Sequence, residues 1–107
     1  MKSDIIDQTN PHTSAERRQF PRRKVRIEAK LIAGRKVQPT VIEDLSAGGA
    51  GLRNAIGVFA NDPVEIELNG GRRLKGVVAW WLTGYCGVQF DQTLAADDPL
   101  LLLGHAM

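Results

Sequence analysis

Residues 24–31 read Lys24-Val25-Arg26-Ile27-Glu28-Ala29-Lys30-Leu31. Val25, Ile27, Ala29 and Leu31 fall on one side of an extended chain, with Lys24, Arg26, Glu28 and Lys30 on the other. A period of two is the mark of a half-buried strand. The alternation returns at Val64-Glu65-Ile66-Glu67-Leu68. Between the two lie turn residues, Ala33-Gly34-Arg35-Lys36, and a second run, Thr40-Val41-Ile42-Glu43, opened by Pro39. Asn69-Gly70-Gly71 signals a hairpin, Arg73 to Trp81 reads as a long strand, Thr83-Gly84 as a turn and Tyr85 to Phe90 as a further strand. The stretch Asp44 to Gly51 is rich in turn residues and too poor in apolar positions for a helix. Five or six short strands with no strand–helix–strand alternation predict an antiparallel barrel or sandwich.

The flanks differ in character. Residues 1–15 are polar, unperiodic and interrupted by Asn10-Pro11, which predicts a flexible N-terminal arm. At the other end Asp97-Asp98-Pro99 precedes four leucines, and an Asp cap with Pro in the first helical position predicts a short helix over the tail, residues 97–107. A single domain over residues 16–96 lies between them. The whole chain of 107 residues has room for one small core, and its 43% hydrophobic and 24% charged content is that of a globular protein.

Several classes are excluded on this reading. The longest apolar stretch, Gly76 to Leu82, is far short of the ~20 residues that span a bilayer. The N-terminal residues offer no apolar run of signal-peptide length. Cys86 is the sole cysteine, so no internal disulfide forms and a cytoplasmic location is expected. The net charge of +2 conceals an asymmetry. Residues 1–36 carry ten Lys/Arg against four Asp/Glu, whereas residues 37–107 carry four against eight. Six of the ten basic residues lie between Arg17 and Arg26, which points to an anionic partner.

Two segments carry chemistry. In Arg17-Arg18-Gln19-Phe20-Pro21-Arg22-Arg23, Arg18 and Arg22 stand four apart with Pro21 stiffening the backbone between them. A guanidinium offers a planar fork of donors that suits a phosphate or the O6/N7 edge of guanine, and its flat face stacks on a base. Alone, the cluster reads equally well as a solvated basic arm. In Asp44-Leu45-Ser46-Ala47-Gly48-Gly49, a carboxylate, a hydroxyl and a glycine pair can face a flat polar ligand, with Asp44 accepting from the N1–H and N2–H₂ of guanine. Alone, this reads as an Asx-type turn between strands.

Together, Arg-x-x-x-Arg at 18–22, a following strand and Asp-x-Ser-x-x-Gly at 44–49 resemble the PilZ domain family over roughly Glu16 to Leu94. Val77, Val78 and Trp80, and the Gly87-Val88-x-Phe90 ending, add weaker matches. The resemblance implies a six-stranded antiparallel β-barrel that senses cyclic di-GMP. It also implies ligand-binding roles for Arg17, Arg18, Arg22, Asp44, Ser46 and Gly49: the arginines on phosphates and a guanine face or edge, Asp44 and Ser46 on a guanine, Gly49 permitting the turn. Arg17, next to the motif, points in this family to an intercalated ligand dimer. An arm that orders over the nucleotide would change what a downstream protein sees.

Other residues carry less. No Gly-Lys-Ser/Thr closes a strand-to-helix turn, which excludes an ATP-type phosphate loop. His12 and His105 lack metal or catalytic spacing, Cys86 reads as a small core residue, and no nucleophile–base–orienter set can be placed. The expectation is therefore a non-enzyme that uses no cofactor and no metal. Its partners would be cyclic di-GMP and a downstream protein, with no membrane and no nucleic-acid polymer. Trp80 and Trp81, adjacent on a strand, face opposite sides, one in the core and the other exposed to line a ligand or partner surface. The alternatives are a basic-armed barrel that binds nucleic acid, and a ligand-free protein-interaction module.

Overall fold

The computed structural model describes residues 20–106. It contains six strands, β1 (Arg23–Ala33), β2 (Lys36–Leu45), β3 (Gly49–Arg53), β4 (Pro63–Leu68), β5 (Arg73–Leu82) and β6 (Tyr85–Phe90), and one helix, α1 (Pro99–Ala106). All neighbours pair antiparallel, and the sheet closes in the order β1-β2-β3-β6-β5-β4 because β1 pairs with β4 as well as with β2. Closure leaves no sheet edge exposed. The expected antiparallel six-stranded barrel with a short C-terminal helix is the fold that forms. The predicted arm, residues 1–15, lies outside the described residues.

The alternation in β1 becomes its burial. Val25, Ala29 and Leu31 point into the core, where they meet Ile42, Leu45, Leu52, Ile66, Val78 and Val88. Thr40 is the buried polar exception on β2, and its hydroxyl donates to the Arg53 carbonyl at 2.6 Å. The β4–β5 hairpin falls where Asn69-Gly70-Gly71 predicted it. Gly70 and Gly71 adopt φ of 95° and 93°, which a side chain would strain.

Two expectations need correction. The stretch rich in turn residues, Asp44 to Gly51, is mostly strand: β2 continues through Leu45 and β3 begins at Gly49, with the chain reversing over residues 46–48. Glycine in β3 marks close backbone approach rather than a turn. A Cβ on Gly49 would collide with the Val88 carbonyl of β6. The second correction concerns the tryptophans, neither of which is core; both are 40% exposed. A register irregularity between Val78 and Trp80 puts Trp80 opposite Gly87 on the outer face. Trp81 pairs with buried Cys86, yet it stands at the mouth of the barrel beside the exposed Phe59 ring.

The helix begins as its sequence predicts. Asp98 Oδ1 accepts the Leu100 N–H at 3.0 Å, and the same carboxylate takes a two-pronged contact from Arg72 at 2.9 and 2.6 Å. Leu100 and Leu101 are buried against the core, so the leucine run closes one end of the barrel. The hydrogen bond from Arg72 holds the Asp98 carboxyl below its usual value. A depressed folded-state pKa contributes stability above the ordinary carboxylate value of about 3.9, and that contribution is lost only as pH falls through the lower, folded value. Asp98→Ala is expected to cost about 1–3 kcal/mol through loss of the cap and of the Arg72 partner. Urea titrations should show the wild-type advantage constant from neutral pH to about 4 and shrinking only below it.

Candidate functional site

The antiparallel order sets which residues meet. The start of β1, the end of β2, the start of β3, the end of β4, the start of β5 and the end of β6 lie at one end of the barrel, together with α1. The chain enters that end at Phe20-Pro21-Arg22. Lys24 pairs with Asp44 across β1 and β2, so Arg22, two residues earlier, comes within reach of the Asp44 carboxylate. Arg22 Nη1 donates to Asp44 Oδ1 in a close ion pair, with the two side chains 31% and 28% exposed. Two segments that are 22 residues apart in sequence therefore converge. Arg17 and Arg18 lie outside the described residues.

Asp44 is aimed by its neighbours. It pairs with Gly51 of β3 after an irregularity in the β2–β3 register, and its carboxylate lies directly over the Gly51 backbone, where a Cβ would collide with it. Gly51 in turn pairs with Gly87 of β6, and Gly87 with Trp80 of β5. The Trp80 indole occupies the space that a Cβ on Gly87 would need. One transverse row thus crosses four strands: Asp44, Gly51, Gly87, Trp80. At the usual inter-strand spacing it is about 14 Å wide. The carboxylate of Asp44 lies over one of its two glycines and the indole of Trp80 over the other.

Ser46 and Gly49 serve this row from behind. Ser46 is buried, and its hydroxyl oxygen accepts the N–H groups of Gly48 and Gly49, each at 3.2 Å. The Ser46 N–H donates to the Gly49 carbonyl at 2.9 Å, which closes the reversal. In this state the hydroxyl is spent inside the turn, and its effect is to fix the strand end that carries Asp44. Gly49 is needed for the close approach of β3 to β6. Of the six residues singled out in the sequence, the structure brings Arg22, Asp44, Ser46 and Gly49 to one end.

Sequence reasoning missed Gly51 and Gly87 and left the face of Trp80 open. The signal was present only as glycines within strand runs, and it needs the β3–β6 register to be read. Arg23, beside Arg22, has its own long contact, donating to the Leu101 carbonyl of α1 at 3.4 Å.

A second concavity, about 490 Å³, lies between β5 and the segment after β6, lined by residues that include Arg72, Lys75, Gln92 and Asp98. Its Arg72 is already committed to Asp98. Cys86 contributes no reactive thiol. It is fully buried, and burial pushes its pKa up to about 11. A thiol reagent at neutral pH is expected to modify Cys86 only at the rate at which the barrel unfolds, which a paired reaction in native buffer and in urea would check.

The row can hold a flat, polar, hydrogen-bonding ring against an aromatic face, beside a guanidinium suited to phosphate. A family model described as PilZ domain matches residues 16–104. No curated protein matches the chain.

Proposed function

The chain belongs to the PilZ domain family, whose members are binding and adaptor modules generally for cyclic di-GMP, and from that premise we propose that it is a cyclic di-GMP receptor without catalytic activity. The observation that carries the reading is the meeting of Arg22 and Asp44 at the end where the arginine segment enters the barrel. A carboxylate beside a guanidinium is complementary to guanine and phosphate respectively, and a guanine dinucleotide offers both.

The proposed binding event is an exchange of partners. Asp44 accepts the N1–H and N2–H₂ of a guanine, and Arg22 turns to a phosphate or to the guanine O6/N7 edge. The pair broken in that exchange is part-exposed, and such pairs contribute only about 0–1 kcal/mol. Each bidentate pairing with a base is worth about 1–3 kcal/mol, so the exchange favours binding. Arg18 and Arg17 would complete the clamp from the preceding segment, with Arg17 favouring two stacked ligands. Ser46 and Gly49 hold the turn that presents Asp44.

Trp80 supplies the stacking face. Replacing it by alanine is expected to weaken binding by about 1–3 kcal/mol, the usual value of one base–aromatic stack. Calorimetry on Trp80→Ala beside Trp80→Phe checks this, because phenylalanine should recover part of the loss.

Engagement of the arginine segment would order the chain before β1, and that ordering offers a docking surface to a downstream protein in the cytoplasm. Calorimetry with cyclic di-GMP on Arg22→Ala tests the reading; affinity equal to wild type would remove Arg22 from the site.

A further inference from the structure

The end of the barrel away from Arg22 and Asp44 is apolar where it meets water. The β1–β2 turn, the loop over residues 54–62 and the β5–β6 turn all reach it. Ile56, Phe59 and Leu82 stand at these tips with 67%, 61% and 66% of their surface exposed, and Trp81 and Tyr85 lie behind them. The tips are tied together. The Ala55 N–H donates to the Gly84 carbonyl at 3.1 Å, and the Gln38 side chain bonds both backbone groups of Ile56, at 2.7 and 3.0 Å. The Phe59 ring sits 5.8 Å from that of Trp81.

Cations frame this surface. Arg35 in the β1–β2 turn and Lys36 at the start of β2 are exposed, and the Lys36 ammonium lies against Gly57, between Ile56 and Phe59 in the chain. Neither cation forms an ion pair among the described residues. The acid at this end, Asp62, has its carboxylate accepting the Phe59 N–H at 2.9 Å.

We propose that this end seats peripherally in the headgroup–acyl boundary of an anionic bilayer. The shape argues for it, because the most exposed apolar groups are projections on separate loop tips, able to enter a soft interface. The chemistry agrees: aromatic and aliphatic side chains partition into the boundary, while nearby Lys and Arg are attracted to anionic headgroups. A second copy of the chain fits less well, since a symmetric contact through this end would bring Arg35 and Lys36 of both copies together. The sequence expectation of no membrane rested on the lack of a spanning segment, and peripheral seating requires none. Arg22 and Asp44, at the other end, stay open to water in this orientation, and Trp80, two residues before Leu82, is the part of the nucleotide row nearest the bilayer.

Cosedimentation of the full chain with vesicles tests the proposal. Vesicles of equal parts phosphatidylglycerol and phosphatidylcholine should bind the chain, and vesicles of phosphatidylcholine alone should bind it more weakly. Arg35→Gln and Lys36→Gln should each reduce partitioning about fivefold. Phe59→Ser and Leu82→Ser should abolish most of it while leaving the unfolding midpoint and the cyclic di-GMP titration as in wild type. No binding to the mixed vesicles, or binding that ignores all four substitutions, would overturn the proposal. So would sedimentation equilibrium showing a wild-type dimer that Phe59→Ser and Leu82→Ser dissociate, because the surface would then belong to a second copy.

Discussion

Asp44→Ala is expected to weaken cyclic di-GMP binding about 5- to 150-fold, the equivalent of about 1–3 kcal/mol for removal of a bidentate pairing with a base. Asp44 receives the guanine donors in the proposed complex and pairs with Arg22 in the free protein. Alanine removes the acceptor, and it also removes the pair that binding has to break, which offsets the loss by only about 0–1 kcal/mol. Asp44→Asn is the informative companion, since an amide keeps one acceptor and adds donors where guanine also donates. It should bind little better than alanine. The fold should tolerate both changes, because the ion pair is part-exposed and contributes little to stability. Calorimetric titration with an unfolding midpoint for each variant separates a weakened site from a weakened fold.

The largest effect on stability is expected at Leu31. Its side chain is fully buried, and β1 is the strand that closes the barrel, with Leu31 opposite Gln38 of β2 and Ile66 of β4. Leu31→Ala should cost about 2–5 kcal/mol, the sum of lost burial and the cavity left in a sheet that cannot collapse around it. Domains of this size have only about 5–15 kcal/mol in total, so the urea midpoint should fall sharply with the slope unchanged. A loss under about 1 kcal/mol would mean that β1 is not held in the core as described.

The sequence made the barrel legible where burial follows an alternating pattern. Val25 to Leu31 and Val64 to Leu68 announce their strands because one face is apolar and the other charged. Asn69-Gly70-Gly71 announces its hairpin because both glycines adopt positive φ. Asp98-Pro99 announces the helix because the cap is a local interaction, made within two residues. β3 was hidden for the converse reason. Gly49-Ala50-Gly51-Leu52 is buried at all four positions, so it has no alternation, and its glycines are demanded by the backbone of β6 and the side chain of Asp44. The β6 neighbour is distant in sequence, and the Asp44 contact depends on the β2–β3 register.

The site shows the same division. Arg22, Asp44, Ser46 and Gly49 could be singled out as chemistry in a recognisable spacing. That Ser46 turns its hydroxyl inward, while Trp80 stands over Gly87 in line with Asp44, depends on the registers of β2–β3, β3–β6 and β5–β6. An irregularity in two of those three pairings shifts the phase by one residue. A one-residue slip sends every later side chain to the opposite face, so the sequence period alone leaves such a site undetermined.

The most direct test of the receptor reading is a titration of the full chain with cyclic di-GMP, followed by amide chemical shifts, with cyclic di-AMP and GTP as controls. The account predicts saturable binding of cyclic di-GMP alone, with the largest shifts at Arg22, Asp44, Gly51 and Gly87 and in the Trp80 indole N–H. Absence of binding, or shifts confined to the concavity around Arg72 and Gln92 while Asp44 stays unmoved, would contradict it.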